Sequence, residues 1–204
     1  ADSNETLQFG LSWALIGISI EVGRPIDRCM RLYASTWYSG RTGPYFRREL
    51  LFRDEAGAIR FQGSTFSVLL DVANRTVYRK KELPFPLTEP RPVHCIDAEP
   101  RFRPEGHFPA GEIRQVRNSD IDNLGHMNNR RYGDLAYDAL EDREVRALAG
   151  LSRLDFHFVS ELRKGDSVAI AKVRDEAGFR VRGTRPDSGE TAFEIRFRLT
   201  PNGV

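Results

Sequence analysis

SDIDNLGHMNNRRY, residues 119–132, crowds aspartates, asparagines and a histidine around the pair Leu124-Gly125. Side chains that are costly to bury collect here at one corner of the chain. What flanks the stretch decides the architecture. Before it, Ile113–Asn118 reads as a short strand. After it, Tyr132, Leu135, Ala136, Ala139 and Leu140 recur at helical spacing, so a helix is expected from about Asn128 to Leu148 with one stripe packed on a sheet. Gly133 removes a side chain on that helix, as a close backbone approach would require.

Four strands are expected downstream, Leu151–Glu161, Ser167–Arg174, Phe179–Arg185 and Thr191–Thr200, separated by the turns RKGD, DEAG and PDSG. The last alternates cleanly: Phe193, Ile195, Phe197 and Leu199 should face the helix or core, and Glu194, Arg196 and Arg198 should face outward. Strand, loop, helix across the sheet and four antiparallel strands make an α+β layer architecture in the order of a hot-dog domain. The first half shows a similar strand series: alternation from Ile16 to Val22, then Arg28–Trp37, Tyr45–Arg53, Ile59–Val72 and Thr76–Arg79. Where a leading strand and helix belong it offers only ADSNETLQFG. The expectation is therefore two tandem hot-dog domains, each an antiparallel sheet wrapped on a helix, the first incomplete at its N-terminus. Residues 82–111 hold most of the prolines, which exclude helix interiors and central strands, so they read as a linker between domains 1–81 and 112–204. RDEAG occurs at 53–57 and 174–178, out of phase between the halves, and reads as a reused hairpin turn.

Composition excludes several classes. The 204 residues carry 31 basic and 29 acidic side chains, intermixed, so no basic face for nucleic acid or an anionic membrane is expected. Cys29 and Cys95 lack metal-ligand or disulfide-framework spacing, which makes a reducing, cytoplasmic compartment the default. The most apolar run, LSWALIGISI (11–20), is too short to span a bilayer and follows acidic Asp2 and Glu5 where a secretory signal would carry basic residues.

The chemistry concentrates in the opening stretch. A helix N-terminus offers unpaired N–H groups and partial positive charge, and Gly125 lets backbone approach a ligand. The N–H groups from Gly125 to Asn128 are thus candidates for holding an oxyanion. Asp122 can attack a carbonyl or take a proton from water, and His126 can orient that group or stabilise charge. A thioester carbonyl suits this set without metal or organic cofactor. Asp120, Asn128 and Asn129 read first as caps. A strand-end glutamate such as Glu161 is ordinarily solvated. His94 and Cys95 are neighbours in extended chain and point apart, so they make a poor nucleophile pair. His107 reads as surface, and His157 faces away from Phe156 and Phe158, toward solvent or the other domain. Trp13 and Trp37 read as core or pocket walls.

VRNSDIDNLGHMNNRRY (116–132), with TWYSGRTGPYFRRELLFRDEAG (36–57) and LDFHFVSELRKGDSV (154–168), resembles the acyl-acyl-carrier-protein (acyl-ACP) thioesterases from about Leu7 onward. That resemblance implies two hot-dog domains, the first shaping an acyl tunnel between its helix and sheet and the second carrying catalysis. It places the catalytic aspartate on Asp122, the histidine on His126 and the glutamate on Glu161. Substrate-side residues would be Asn123, Gly125, Asn128, Asn129, Arg130, Arg131 and Trp37, the arginines meeting the acidic carrier or its phosphopantetheine. The implied activity is release of fatty acid from acyl carrier protein. An acyl-CoA thioesterase and a non-catalytic acyl-binding protein are the alternatives. Two departures stand out: Leu124 occupies the place of a family asparagine, with Asn123 one position earlier, and the front end of the first domain is missing. The sheet face so uncovered is an apolar patch larger than soluble monomers ordinarily expose, so further residues or a partner chain, a homodimer included, would cover it.

Overall fold

Strand β1 (Leu11–Val22) pairs antiparallel with β4 (Ile59–Asp71), and the register slips between Leu15 and Gly17. A bulge puts two residues opposite one, so the faces before and after it fall out of step. This is why alternation is legible only from Ile16, although the strand begins at Leu11. The computed structural model describes residues 3–27 and 29–200 and divides into two units, Ala1–Arg101 and Phe102–Val204.

In the first unit the strand order is β2-β3-β4-β1, with β2 at Tyr33–Thr42 and β3 at Tyr45–Arg53; β5 (Thr76–Val77) adds to the end of β4. The strand expected from Arg28 to Trp37 instead begins at Tyr33 and continues through Ser39 and Gly40. A bulge between Tyr38 and Gly40 absorbs the extra residue Ser39, and the chain reverses only at Gly43, with φ +60°. Arg28 lies outside the described residues. Leu11, Phe46, Leu69 and Phe85 form one core cluster, with the Trp13 ring edge-on to Phe46 at 4.8 Å.

The opposite sheet face is built around Glu49, which is completely buried. Its Oε1 accepts from Ser39 Oγ (2.7 Å) and Arg47 Nε (2.6 Å); its Oε2 accepts from Ser64 Oγ (2.7 Å) and Cys95 N (3.0 Å). Burial alone would raise its pKa, but these donors outweigh burial and hold the carboxyl below its ordinary range. Arg47 continues outward to the carbonyls of Ile96 and Ala98, so the proline-rich run lies on this face as a strap.

Among the described residues this unit has one helix, the five-residue α1 (Ser3–Leu7). An acyl tunnel between helix and sheet therefore has no helical wall here, and Ile18, Ile20, Leu50, Phe52 and Phe61 stay half-exposed on the face opposite Glu49.

The second unit orders its strands β7-β10-β9-β8-β6: β6 (Glu112–Gln115), β7 (Leu151–Phe158), β8 (Ser167–Asp175), β9 (Gly178–Thr184) and β10 (Thr191–Leu199). Its β7-β10-β9-β8 repeats the β1-β4-β3-β2 order of the first unit and adds the edge strand and helix, completing the hot-dog arrangement. Helix α2 (Asn129–Asp138) lays Tyr132, Leu135 and Ala136 on Phe193, Ile195 and Phe197 of β10 and Phe179 and Val181 of β9. Gly183 has no room for a side chain: a Cβ would sit 2.1 Å from the Phe193 ring. At Gly133 a Cβ would meet Phe156 at an ordinary 3.4 Å, so space does not demand that glycine.

The helix expected to reach Leu148 is broken after Asp138 and restarts as α3 (Asp142–Ala147). Glu144 caps the new start, its carboxylate accepting from Glu141 N at 2.8 Å, and also pairs with Lys172 of β8. Burying that pair at the sheet turns the chain, although the apolar period runs on through Ala139 and Leu140.

The outward face of β10 is not solvated. Glu194 is fully buried, accepting from Arg182 Nε and Arg196 Nε, each at 2.8 Å. Residues 102–108 strap this face: Arg182 lies over the Phe108 ring at 4.1 Å and donates to the Glu105 carbonyl at 2.7 Å. The proline-rich run thus does not stand apart; its earlier part packs in the first unit and its later part in the second. Phe102 stacks on His157, ring centroids 4.1 Å apart and planes 9° from parallel. His157 therefore lies beneath the strap within its own unit.

Burial, then the Arg196 charge, push the His157 pKa from 6.5 down to about 4, against the pull of Asp155 and Glu194. A histidine depressed by folding contributes stability at neutral pH that is lost as pH falls from about 6.5 towards about 4, because only the unfolded chain takes up the proton in that window. Its ceiling is about 3 kcal/mol, lowered by solvent reaching the ring edge. Urea midpoints measured from pH 7 to pH 4.5 should fall less steeply for His157→Phe, which keeps the stacked ring, than for the parent. Equal slopes would show that the strap does not hold His157 neutral.

Candidate active site

Asp122 and His126 sit on one tight hairpin. Asp122 N donates to the His126 carbonyl at 2.9 Å, Gly125 N closes the turn on the Asp122 carbonyl at 3.2 Å, and Ile121 bridges Met127. Gly125 has φ +81°, a left-handed conformation that glycine adopts without strain. Oδ1 of Asp122 accepts from Leu124 N (2.9 Å) and more loosely from His126 N (3.4 Å), so the carboxylate is anchored by the loop it belongs to. Oδ2 has no hydrogen-bond partner among the described residues.

The His126 imidazole turns to Glu161, with Nε2 3.4 Å from Oε2, and the two side chains are 33% and 42% exposed, open enough for a substrate to reach. Arg163 Nη2 stands 3.5 Å from the same oxygen, and Arg185 donates to the Glu161 carbonyl. Glu161 lies beyond the end of β7, in a segment fixed by Leu162: the Leu162 carbonyl accepts from Met127 N (2.8 Å), and Leu162 N donates to the Tyr132 hydroxyl (3.3 Å). Leu162, Tyr132, Arg163 and Arg185 are site-supporting residues that the sequence reading passed over. In the sequence Tyr132 shows itself only as one position of an apolar stripe.

The N–H groups expected to hold an oxyanion are occupied within the loop. The N–H groups of Gly125, His126, Met127 and Asn128 are all engaged, in closing the hairpin, on the Asp122 carboxylate, on Leu162 and on the Asp120 carbonyl. A hairpin this short uses its own donors to hold its shape. Among the described residues the Asn129 N–H, first in α2, has no such partner. Asn128 caps α2 through its side chain, accepting from Arg130 N at 3.0 Å, as expected of an asparagine at a helix start.

Of the remaining candidates, Asn123 and Leu124 are exposed at the loop tip, Leu124 to 67%. Asn129 and Arg130 are exposed at the helix start. Arg131 is tied down, donating to Asp134 (2.9 Å) and the Ser119 carbonyl (3.0 Å). Trp37 belongs to the first unit, donating from its indole to the Val93 carbonyl at 2.9 Å with Arg91 over its ring. A cleft of about 940 Å³ opens between α3 and the β8–β9 turn, and neither Asp122, His126 nor Glu161 lines it.

An antiparallel sheet wrapped on a helix, with an Asp/His pair on the loop leading into that helix, defines a hot-dog protein. Residues 111–202 match the family model of the acyl-ACP thioesterase C-terminal domain. Two solved structures are similar to this chain over nearly all of its length. An acyl-ACP thioesterase from Bacteroides thetaiotaomicron superposes with TM-score 0.76 at 17% identity, covering 97% of this chain and 80% of that one. A 12:0-ACP thioesterase from Umbellularia californica gives TM-score 0.74 at 17% identity, covering 97% and 78%. Among curated proteins, none matches the chain in sequence.

Proposed function

We propose that this protein hydrolyses the thioester of fatty acyl-acyl carrier protein to free fatty acid and carrier thiol. The observation that carries the reading is the contact of His126 with Glu161 beside the anchored Asp122 loop, within an acyl-ACP thioesterase C-terminal domain. Asp122 Oδ2 takes a proton from water as the water oxygen adds to the thioester carbonyl, or adds to that carbonyl itself. The developing oxyanion is met by the Asn129 N–H at the positive end of α2. His126, oriented by Glu161, delivers the proton that the departing sulfur needs when the C–S bond breaks. Atoms balance as thioester plus water giving acid plus thiol.

Arg130, exposed at the helix start, is a candidate cation for meeting an acidic carrier or its phosphopantetheine. Among the described residues no helix is long and apolar enough to cross a membrane. With that and the cysteine usage, the reading places the enzyme in the cytoplasm, in fatty acid biosynthesis, with a homodimer as its candidate assembly. Thiol release measured over a ladder of chain lengths, each offered on acyl carrier protein and on CoA, tests it. Faster release from the carrier at matched chain length supports the proposal. Faster release from CoA would favour an acyl-CoA thioesterase, and acyl binding without thiol release would end the hydrolase reading.

A further inference from the structure

We infer that Tyr132 is a positioning residue that sets where Glu161 stands relative to His126, an assignment resting on the hydrolase reading. The Tyr132 ring is wedged edge-on between Phe158 (5.3 Å) and Phe193 (5.1 Å), and the residue is 4% exposed. For that packing a phenylalanine would serve, and it would spare the cost of burying a hydroxyl. The hydroxyl has one visible task, accepting from Leu162 N at 3.3 Å.

Leu162 is fully buried and held twice, by Tyr132 of the helix at its N–H and by Met127 of the hairpin at its carbonyl. Glu161 precedes Leu162, and His126 precedes Met127. The two anchors therefore bracket the pair whose side chains meet. The segment lies beyond the last residue of β7, where Val159 N and Ser160 N share a single acceptor, the Ala192 carbonyl, so the sheet alone holds it loosely. At 3.4 Å the His126–Glu161 contact is already at the long end of a hydrogen bond, and a shift of a few tenths of an ångström would break it. Burial holds the Tyr132 phenol above its ordinary range, so it stays protonated and does not itself titrate near neutrality.

Tyr132→Phe keeps the wedge and removes only the acceptor. Its kcat on acyl-carrier substrate should fall roughly ten- to a hundredfold with KM nearly unchanged, because geometry in the reacting complex is lost rather than binding. Exchange of the Leu162 amide should rise about tenfold, while amides of β10 keep their protection. Tyr137→Phe, an exposed tyrosine on the same helix, should change neither. Retained kcat in Tyr132→Phe would overturn the assignment, as would kcat loss accompanied by general loss of amide protection, which marks a packing role. If the parent releases no thiol from any acyl thioester, the hydrolase reading fails, and the positioning role fails with it. Unchanged Leu162 exchange in Tyr132→Phe sinks the anchor alone, even in an active parent.

Discussion

Asp122→Asn should lower thiol release by roughly 10²- to 10⁴-fold, the range that a positioned general base supplies, while leaving KM and the urea midpoint close to those of the parent. The amide oxygen of asparagine can accept from Leu124 N and His126 N as Oδ1 does now, so the hairpin has no reason to open. What disappears is the anionic second oxygen, needed whether the carboxylate attacks the carbonyl or takes a proton from water. His126→Ala and Glu161→Gln should each cost less than Asp122→Asn. Their double variant should cost little more than His126→Ala, because the carboxylate acts through the imidazole it touches. Turnover by Asp122→Asn equal to the parent's would remove the proposed chemistry from this loop.

The extent to which this site could be read in the chain follows from how local each part is. Asp122 and His126 belong to one hairpin closed by its own backbone, and an Asp-x-x-Gly-His run before a helix announces that. Glu161 is brought to them by the return of a distant strand. From residue type and place it was an ordinary solvated strand end, and only likeness to a family picked it out. Tyr132 was hidden by agreement: its ring satisfies the helical period, so nothing in the pattern hinted that its hydroxyl had a separate partner. The N–H groups were misassigned because a helix start was assumed to leave its preceding loop free, whereas the hairpin consumes those donors.

The same division runs through the fold. β3 was legible at both ends because hairpin turns at Gly43 and at Asp54–Gly57 bound it and nothing distant alters it. Helix α2 continued too far in the sequence reading because its break is imposed from β8 by Lys172 acting on Glu144. Alternation in β10 correctly separated two faces, but it carries no information on whether the polar face is covered. The cover comes from residues 102–108, and it turns Glu194 from an expected surface charge into a buried one.

Glu49→Ala should destabilise the first unit by about 3–5 kcal/mol, the usual consequence of removing one partner from a buried ion pair. Arg47 would then keep its charge under the strap without a counter-charge, met by the hydroxyl of Ser64, the carbonyls of Ile96 and Ala98 and the Phe66 ring. Glu49→Gln should be nearly as damaging despite its matching shape. Each carboxylate oxygen now accepts from one serine and one fixed N–H donor, Arg47 Nε on one side and Cys95 N on the other. Whichever way the glutamine amide is turned, its NH2 faces one of those donors, and serine rotation can relieve only the hydroxyls. The carboxyl is held below its ordinary range, so its contribution is complete above the unfolded-state pKa near 4.5 and is lost as pH falls through the lower folded value. Urea unfolding at pH 7 should therefore show both variants far below the parent and close to each other, with the gap narrowing in acid. A Glu49→Gln midpoint equal to the parent's at pH 7 would mean that hydrogen-bond shape, and not the acceptor-only charge, holds this face together.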